Sequence, residues 1–293
     1  MKYAIKITLA IALSSLPGLA LADTDDGATG KSPTLTLLPV SHIYDPYLAD
    51  QRRVTFEFQT ISVDQSDLPD TGNERFGLRM GGRLELFQYQ WPTEPGQVPS
   101  RLQANLEVGF RGHFDRAYSL DNIGWDGNYG LLFSYRGHAS LAYRFGIYHT
   151  SSHIGDEYIE RTGRERINYT REEYLAGAQY NFNPHWQIYM EGGYAYNLDI
   201  KPLQQHKRYQ TGIQYRQNTS GRSATPSWFI GLDISSYEER DWDRNTSVQA
   251  GLEMNAYPHT WRLSLAYYDG QSVLGEFFQH DERYWGLSLQ IDL

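Results

Sequence analysis

The chain contains no cysteine. That excludes disulfide staples, and it excludes the lipid-modified cysteine that follows the signal of a lipoprotein. Beyond the N-terminal segment there is no apolar run of the roughly 18 residues that a transmembrane helix needs, and helix-period patterning is missing. Positive charge is not in excess. A net charge of -9 argues against nucleic acid as a partner and fits a cell surface where divalent cations bridge acidic groups. Taken alone, the mean hydropathy of -0.59 describes a water-soluble protein.

What is present contradicts that last inference. Lys2 and Lys6 precede a mostly apolar stretch from Ile7 to Leu19, which ends in Ala20-Leu21-Ala22. This reads as a secretory signal over residues 1–22, cleaved near Ala22, with the mature chain starting at Asp23. The 23 tyrosines and 7 tryptophans are many for this length, and apolar and polar residues alternate along most of the chain. Leu102, Ala104, Leu106, Val108 and Phe110 alternate with Gln103, Asn105, Glu107, Gly109 and Arg111. Trp285, Leu287, Leu289 and Ile291 alternate with Gly286, Ser288, Gln290 and Asp292. A strand sends alternate residues to opposite faces. A charge at every second position is costly in a packed sandwich but natural on the wet inner face of a barrel.

The pattern predicts an all-β fold: a transmembrane antiparallel β-barrel of about twelve strands over residues 51–293, in the outer membrane of a Gram-negative bacterium. Strands are expected near residues 52–63, 75–90, 101–114, 128–136, 139–151, 167–182, 186–197, 207–217, 227–238, 246–257, 260–269 and 283–293. Short connections such as Asn183-Pro184-His185 alternate with long ones at Asp115–Gly127, Ser152–Arg166 and Asp269–Glu282, the asymmetry between periplasmic turns and external loops. The pattern Tyr284–Leu293 resembles the C-terminal signal read by the barrel-assembly machinery. Residues 23–50 read as a periplasmic or lumen-inserted arm, with an extra edge strand as the alternative. Arg79, Arg83, Glu85, Glu107, Arg111 and Arg144 are expected to fill the interior as a charge network rather than to line a wide channel. Asp121, Asp126, Asp241 and Asp243 read as solvated loop residues.

Chemistry concentrates at Leu141–His153. Leu141, Tyr143, Phe145 and Ile147 share one parity, and the same parity continues into His149, Ser151 and His153. A possible base and a possible nucleophile thus fall on the greasy face. His149 lies ten residues above a turn near Ala139, a rise of about 23 Å at a tilt of about 45°, near the outer-leaflet interface where lipid esters reside. On the returning strand Glu172 lies ten residues above Phe182, at matching height. Serine needs a base to take its proton, and the base needs an orienting acceptor. Ser151, His149 and Glu172 fill those roles, with Asn168, Ser152 and His153 in reserve. The oxyanion needs a donor, for which a backbone N–H near Ser152 and a bound cation, Ca²⁺ among them, are the open options. Asp156 and Glu157, with His153, are candidate metal ligands. The competing reading of that cluster is a solvated loop or a salt-bridge set with Arg161, Arg164 and Arg166. For His149 and Ser151 the competing reading is an interfacial polar pair on a non-catalytic envelope barrel, either a narrow pore or a structural or binding protein.

His149-Thr150-Ser151, with Glu172 from the next strand, resembles the local pattern of outer-membrane phospholipase A and of the lipid A 3-O-deacylase. The resemblance implies hydrolysis of a lipid ester, of phospholipid or lipopolysaccharide, from the barrel's outer surface. After Ser151 this chain has Ser152-His153-Ile154-Gly155, where the phospholipase pattern has Asn-Gly. A wider resemblance rests on Tyr148–Tyr158 (YHTSSHIGDEY), Asn168–Glu172, Pro46–Asp50, Asp269–Ser272 and Gly275–Phe278. These look like an uncharacterised family of Gram-negative outer-membrane proteins known as a domain of unknown function. That resemblance implies a fold and a location, not an activity.

Overall fold

The computed structural model describes residues 32–200, 203–217, 225–256 and 259–292. The expected signal peptide, its cleavage site and the terminal Leu293 lie outside the described residues. A short strand, β1 (Thr34–Leu37), precedes twelve long ones. These are β2 (Phe56–Ser66), β3 (Glu74–Gln90), β4 (Arg101–Asp115), β5 (Asp121–Arg136), β6 (Leu141–Ile154), β7 (Thr170–Asn181), β8 (Trp186–Leu198), β9 (Lys207–Arg216), β10 (Ser227–Tyr237), β11 (Arg244–Ala256), β12 (His259–Gln271) and β13 (Asp281–Asp292). Each of β2–β13 pairs antiparallel with its neighbours in sequence, and β13 pairs with β2, so the sheet closes. Closure matters because a sheet edge cannot be left unpaired in lipid. No described helix is long and apolar enough to cross a membrane.

Dyad alternation sets which face each residue takes. On β13 Glu282, Tyr284, Ser288 and Gln290 are buried inward, while Trp285, Leu287 and Leu289 are exposed outward. The exterior is therefore an apolar band. Aromatic rings flank it at both ends: Tyr89, Trp91, Tyr135, Trp186, Tyr215 and Trp228 at one, and Trp125, Tyr129, Tyr174, Tyr196, Tyr209 and Trp242 at the other. The interior is a network of ion pairs, with Arg111 2.7 Å from Asp126, Arg171 3.0 Å from Glu173 and Arg208 2.9 Å from Glu191. Arg79 pairs with Glu57, and Arg144 with Glu191. Removing one member of such a buried pair leaves an uncompensated charge and costs far more than the pair contributes.

Two segments enter the lumen and leave a cavity of about 470 Å³ between themselves and the wall. Residues 41–53 cross it, and wall glutamines accept the N–H groups that no strand partner can take. Ile43 N donates to Gln103 Oε1 (3.1 Å), Asp45 N to Gln179 Oε1 (2.9 Å) and Leu48 N to Gln214 Oε1 (2.9 Å). Tyr47 stacks on Tyr189 with ring centroids 3.8 Å apart. Just before this crossing, β1 lies antiparallel on the end of β3, Thr34 opposite Gln90. At the other mouth the β12–β13 loop folds inward. Val273, Leu274 and Phe277 join Ile61, Val63, Leu68, Ile123, Ile154 and Tyr158 in one buried apolar cluster. Arg52 ties arm to loop, donating from Nη2 to Ser272 O (3.0 Å) and from Nη1 to Tyr237 Oη (2.6 Å). The intact barrel is thus expected to be nearly silent in planar bilayers. Deleting residues 38–53 should raise single-channel conductance, because the polar wall left behind is wet; unchanged conductance in the folded deletion variant would contradict this.

One expected boundary is corrected. Residues 115–127 are not a long loop: β5 begins at Asp121 and only residues 116–120 connect it to β4. Asp, Asn and Gly at 121–128 suggest a loop by composition, yet the inward parity carries Asp126 opposite Arg111, where a carboxylate is satisfied. Asp126 is accordingly a buried strand residue and not a solvated one. Asp121 is also a strand residue, 3.6 Å from Arg161.

Candidate functional site

On β6 the outward residues Tyr143, Phe145 and Ile147 are exposed and the inward Ala142 and Ser152 are buried. His149, Ser151 and His153 continue the outward parity without interruption, since no bulge interrupts the pairing of β6 with β5 or β7. Glu172 on β7 stands directly opposite His149, and Thr170 opposite Ser151. Ser152 N donates to Tyr169 O (2.9 Å). Backbone bonds from β6 to β7 therefore issue from the even-numbered residues, which makes His149–Glu172 a non-hydrogen-bonded pair. Side chains approach more closely at such pairs. His149 Nδ1 lies 3.4 Å from Glu172 Oε1, within ion-pair range but without hydrogen-bond geometry. Glu172 also accepts from Asn197 Nδ2 (3.3 Å).

Two neighbours shape this pair. Tyr129 on β5 stacks on the His149 ring with centroids 4.6 Å apart, which fixes the imidazole plane. Opposite Ser151 stands Gly127, whose missing Cβ would lie 3.7 Å from Ser151 Oγ. The Trp125 ring, 3.5 Å from that same point, lies over the glycine on the β5 side of the hydroxyl. On its loop side lies a cleft of about 440 Å³, lined by Ser151, His153, Arg166, Asn168, Thr170 and Asp199 among others.

The reserve residues separate by parity and position. Ser152 points inward and is corrected as a reserve nucleophile. Its Oγ donates to Asp126 Oδ1 and accepts from Glu276 N (2.8 Å), so it cannot reach a lipid-facing ester. Its N–H, offered above as an oxyanion donor, is taken by Tyr169 O. His153 faces outward but stacks on Trp125 (4.1 Å) and contacts Arg166. Asn168 has a left-handed backbone (φ 56) and lies on the cleft, beyond the end of β7 and away from His149. Asp156 and Glu157 sit exposed in the first turn of a short helix, α1 (Asp156–Thr162), where acidic side chains complement the helix N-terminus. Among the described residues no group of three or more His, Asp or Glu is placed to hold a metal ion. The arginines expected beside that acidic pair are engaged elsewhere. Arg161 lies over Tyr118, and Arg164 contacts His280 Nε2 (3.0 Å).

Sequence reasoning missed the support behind the site. Asp126 accepts from Arg111 Nη2 (2.7 Å), from Ser152 Oγ and from Gly275 N (3.1 Å). Glu276, fully buried, accepts from Ile167 N (2.9 Å) and Tyr169 N (3.4 Å). Burial pushes the Tyr169 phenol well above its usual range, so it stays a neutral wall behind the cleft. The signal for Glu276 was a single acid within Gly275-Glu276-Phe277-Phe278: a carboxylate among apolar residues is there to be bonded.

A closed antiparallel barrel with an apolar exterior, aromatic girdles and a charged lumen is a transmembrane barrel of the outer-membrane class. Within that class the chain belongs to the family described as protein of unknown function (DUF1207), whose model matches residues 5–292. A search of curated proteins finds no match. Among solved structures it is similar to outer membrane phospholipase A from Escherichia coli (TM-score 0.53, 10% identity, 81% of this chain and 92% of that one). It is likewise similar to the Salmonella typhi outer membrane phospholipase dimer with bound calcium (TM-score 0.51, 12% identity, 81% and 91%). A KdgM porin in complex with disordered oligogalacturonate matches with a TM-score of 0.45 at 8% identity over 82% of this chain and 99% of that one. At these identities the likeness is one of fold.

Proposed function

We propose that the protein is a lipid-ester hydrolase of the outer membrane, acting on phospholipid or lipid A at the outer leaflet. The chain would reach that membrane by its N-terminal signal and be inserted by the barrel-assembly machinery. One observation carries the reading. His149 and Glu172 lie 3.4 Å apart on the lipid face of adjacent strands, with Ser151 two residues further along the same face. The fold likeness to outer membrane phospholipase A supports it.

The chemistry follows from those positions. Ser151 Oγ attacks the ester carbonyl while His149 takes its proton, and Glu172 orients the imidazole and balances its charge. Collapse of the tetrahedral intermediate expels the alcohol, which leaves with the proton from His149. Water then attacks the acyl-serine by the same route, releasing the fatty acid. The lipid face is a sensible place for this, because an ester in a bilayer presents itself sideways to the barrel wall.

Mass spectrometry of lipids incubated with the purified protein and with Ser151→Ala tests this. Lysophospholipid or deacylated lipid A should form only with the unsubstituted protein. No turnover of either substrate, with and without Ca²⁺, would return the chain to a non-catalytic envelope barrel.

A further inference from the structure

The cleft beside Ser151 carries one cation and one anion. Arg166 lines it with its side chain 43% exposed. Its nearest carboxylate, Glu276 at 3.7 Å, is fully buried and already accepts two backbone N–H groups. The guanidinium touches the ring of His153 on one side and keeps donors free for the cleft. Asn168 places an exposed amide beside it. Asp199, exposed at the start of the β8–β9 connection, lines the same cleft.

The cleft's position relative to the reacting groups gives these charges meaning. It adjoins Ser151 and Thr170 but neither His149 nor Glu172. Toward the membrane, Ile147 and Tyr174 face each other on the outward surface and are exposed to lipid. An acyl ester held at Ser151 therefore has its chain running down over Ile147 and Tyr174, and the head group rising into the cleft. Arginine matches a phosphate by paired N–H donors, and a carboxylate matches an ammonium.

We infer that this cleft is the head-group site of the hydrolase and that it selects a zwitterionic glycerophospholipid, one whose head carries a phosphate and an ammonium group. The phosphate sits on Arg166 and Asn168, and the ammonium on Asp199. Arg166 and Asp199 are specificity residues and take no part in the bond-breaking steps. The inference rests on the hydrolase reading for its orientation of the lipid.

Binding can be read without turnover. Dihexanoyl phosphatidylethanolamine, dihexanoyl phosphatidylglycerol and dihexanoylglycerol are titrated into micellar Ser151→Ala protein, with His153 ring resonances as the reporter. The ethanolamine lipid should bind about tenfold more tightly than the glycerol lipid, and uncharged dihexanoylglycerol most weakly. Adding Asp199→Asn should erase the difference between the two phospholipids, and adding Arg166→Gln should bring the glycerol lipid down to the uncharged lipid and weaken the ethanolamine lipid. Arg166→Lys, which keeps the charge, should restore part of the phosphate preference and guards against loss of loop structure in the glutamine variant. Equal binding of all three lipids, or a preference that survives both Asp199→Asn and Arg166→Gln, overturns the site. If the unsubstituted protein cleaves all three lipids equally, the hydrolase stands and the head-group site falls. If it cleaves none while the charge-dependent binding persists, the site stands and the hydrolase falls.

Discussion

Alanine at His149 should slow ester turnover by about 10³-fold or more, the scale on which removal of a triad base acts. The loss should fall on kcat with KM little changed, since the imidazole takes a proton only as the serine attacks. Glu172→Ala should cost less than His149→Ala, because the orienter acts through the base and Tyr129 still stacks on the ring. Neither substitution should unfold the barrel. Both side chains lie on the outer surface, where the pairing of β6 with β7 rests on backbone bonds from the other residues. The check is steady-state kinetics on a micellar acyl ester with both folded variants. A His149→Ala protein as active as the parent would remove the base from the scheme.

The second large effect is on stability. Asp126→Ala should destabilise the folded barrel by about 3–5 kcal/mol, the usual cost of breaking a buried ion pair from one side. Arg111 would keep its charge with its carboxylate gone, and Ser152 Oγ and Gly275 N would each lose an acceptor. Asp126→Asn, which keeps an acceptor but not the charge, should lie between the two. Urea unfolding in detergent micelles, followed by the shift in midpoint, measures both. An Asp126→Ala midpoint equal to the parent's would mean that the lumen-side network does not hold the loop over the outer mouth.

Parity made much of this structure legible in advance. The series Leu141 to His153 is one unbroken dyad, so its outward face can be read from the letters. Counting upward from the turns near Ala139 and Phe182 set Glu172 against His149, the register the strands adopt. What was hidden shares one cause. Inside a wet barrel polar residues are wall as often as loop, so composition does not separate the two. Asp121–Gly127 reads as a connection and is strand because Arg111 waits opposite. Ser152 stands in reserve behind Ser151 and cannot replace it, since one step along a strand exchanges lipid for lumen. The inward fold of residues 272–278 and the path of residues 41–53 depend on partners far away in sequence, such as Gln103, Gln214 and Asp126, which no local pattern announces.

The most direct measurement is covalent labelling of the folded protein with a lipophilic fluorophosphonate, followed by peptide mass spectrometry. A serine activated on the lipid face should carry a single adduct at Ser151, absent in His149→Ala. No adduct, or one on another serine that persists without His149, would contradict the account.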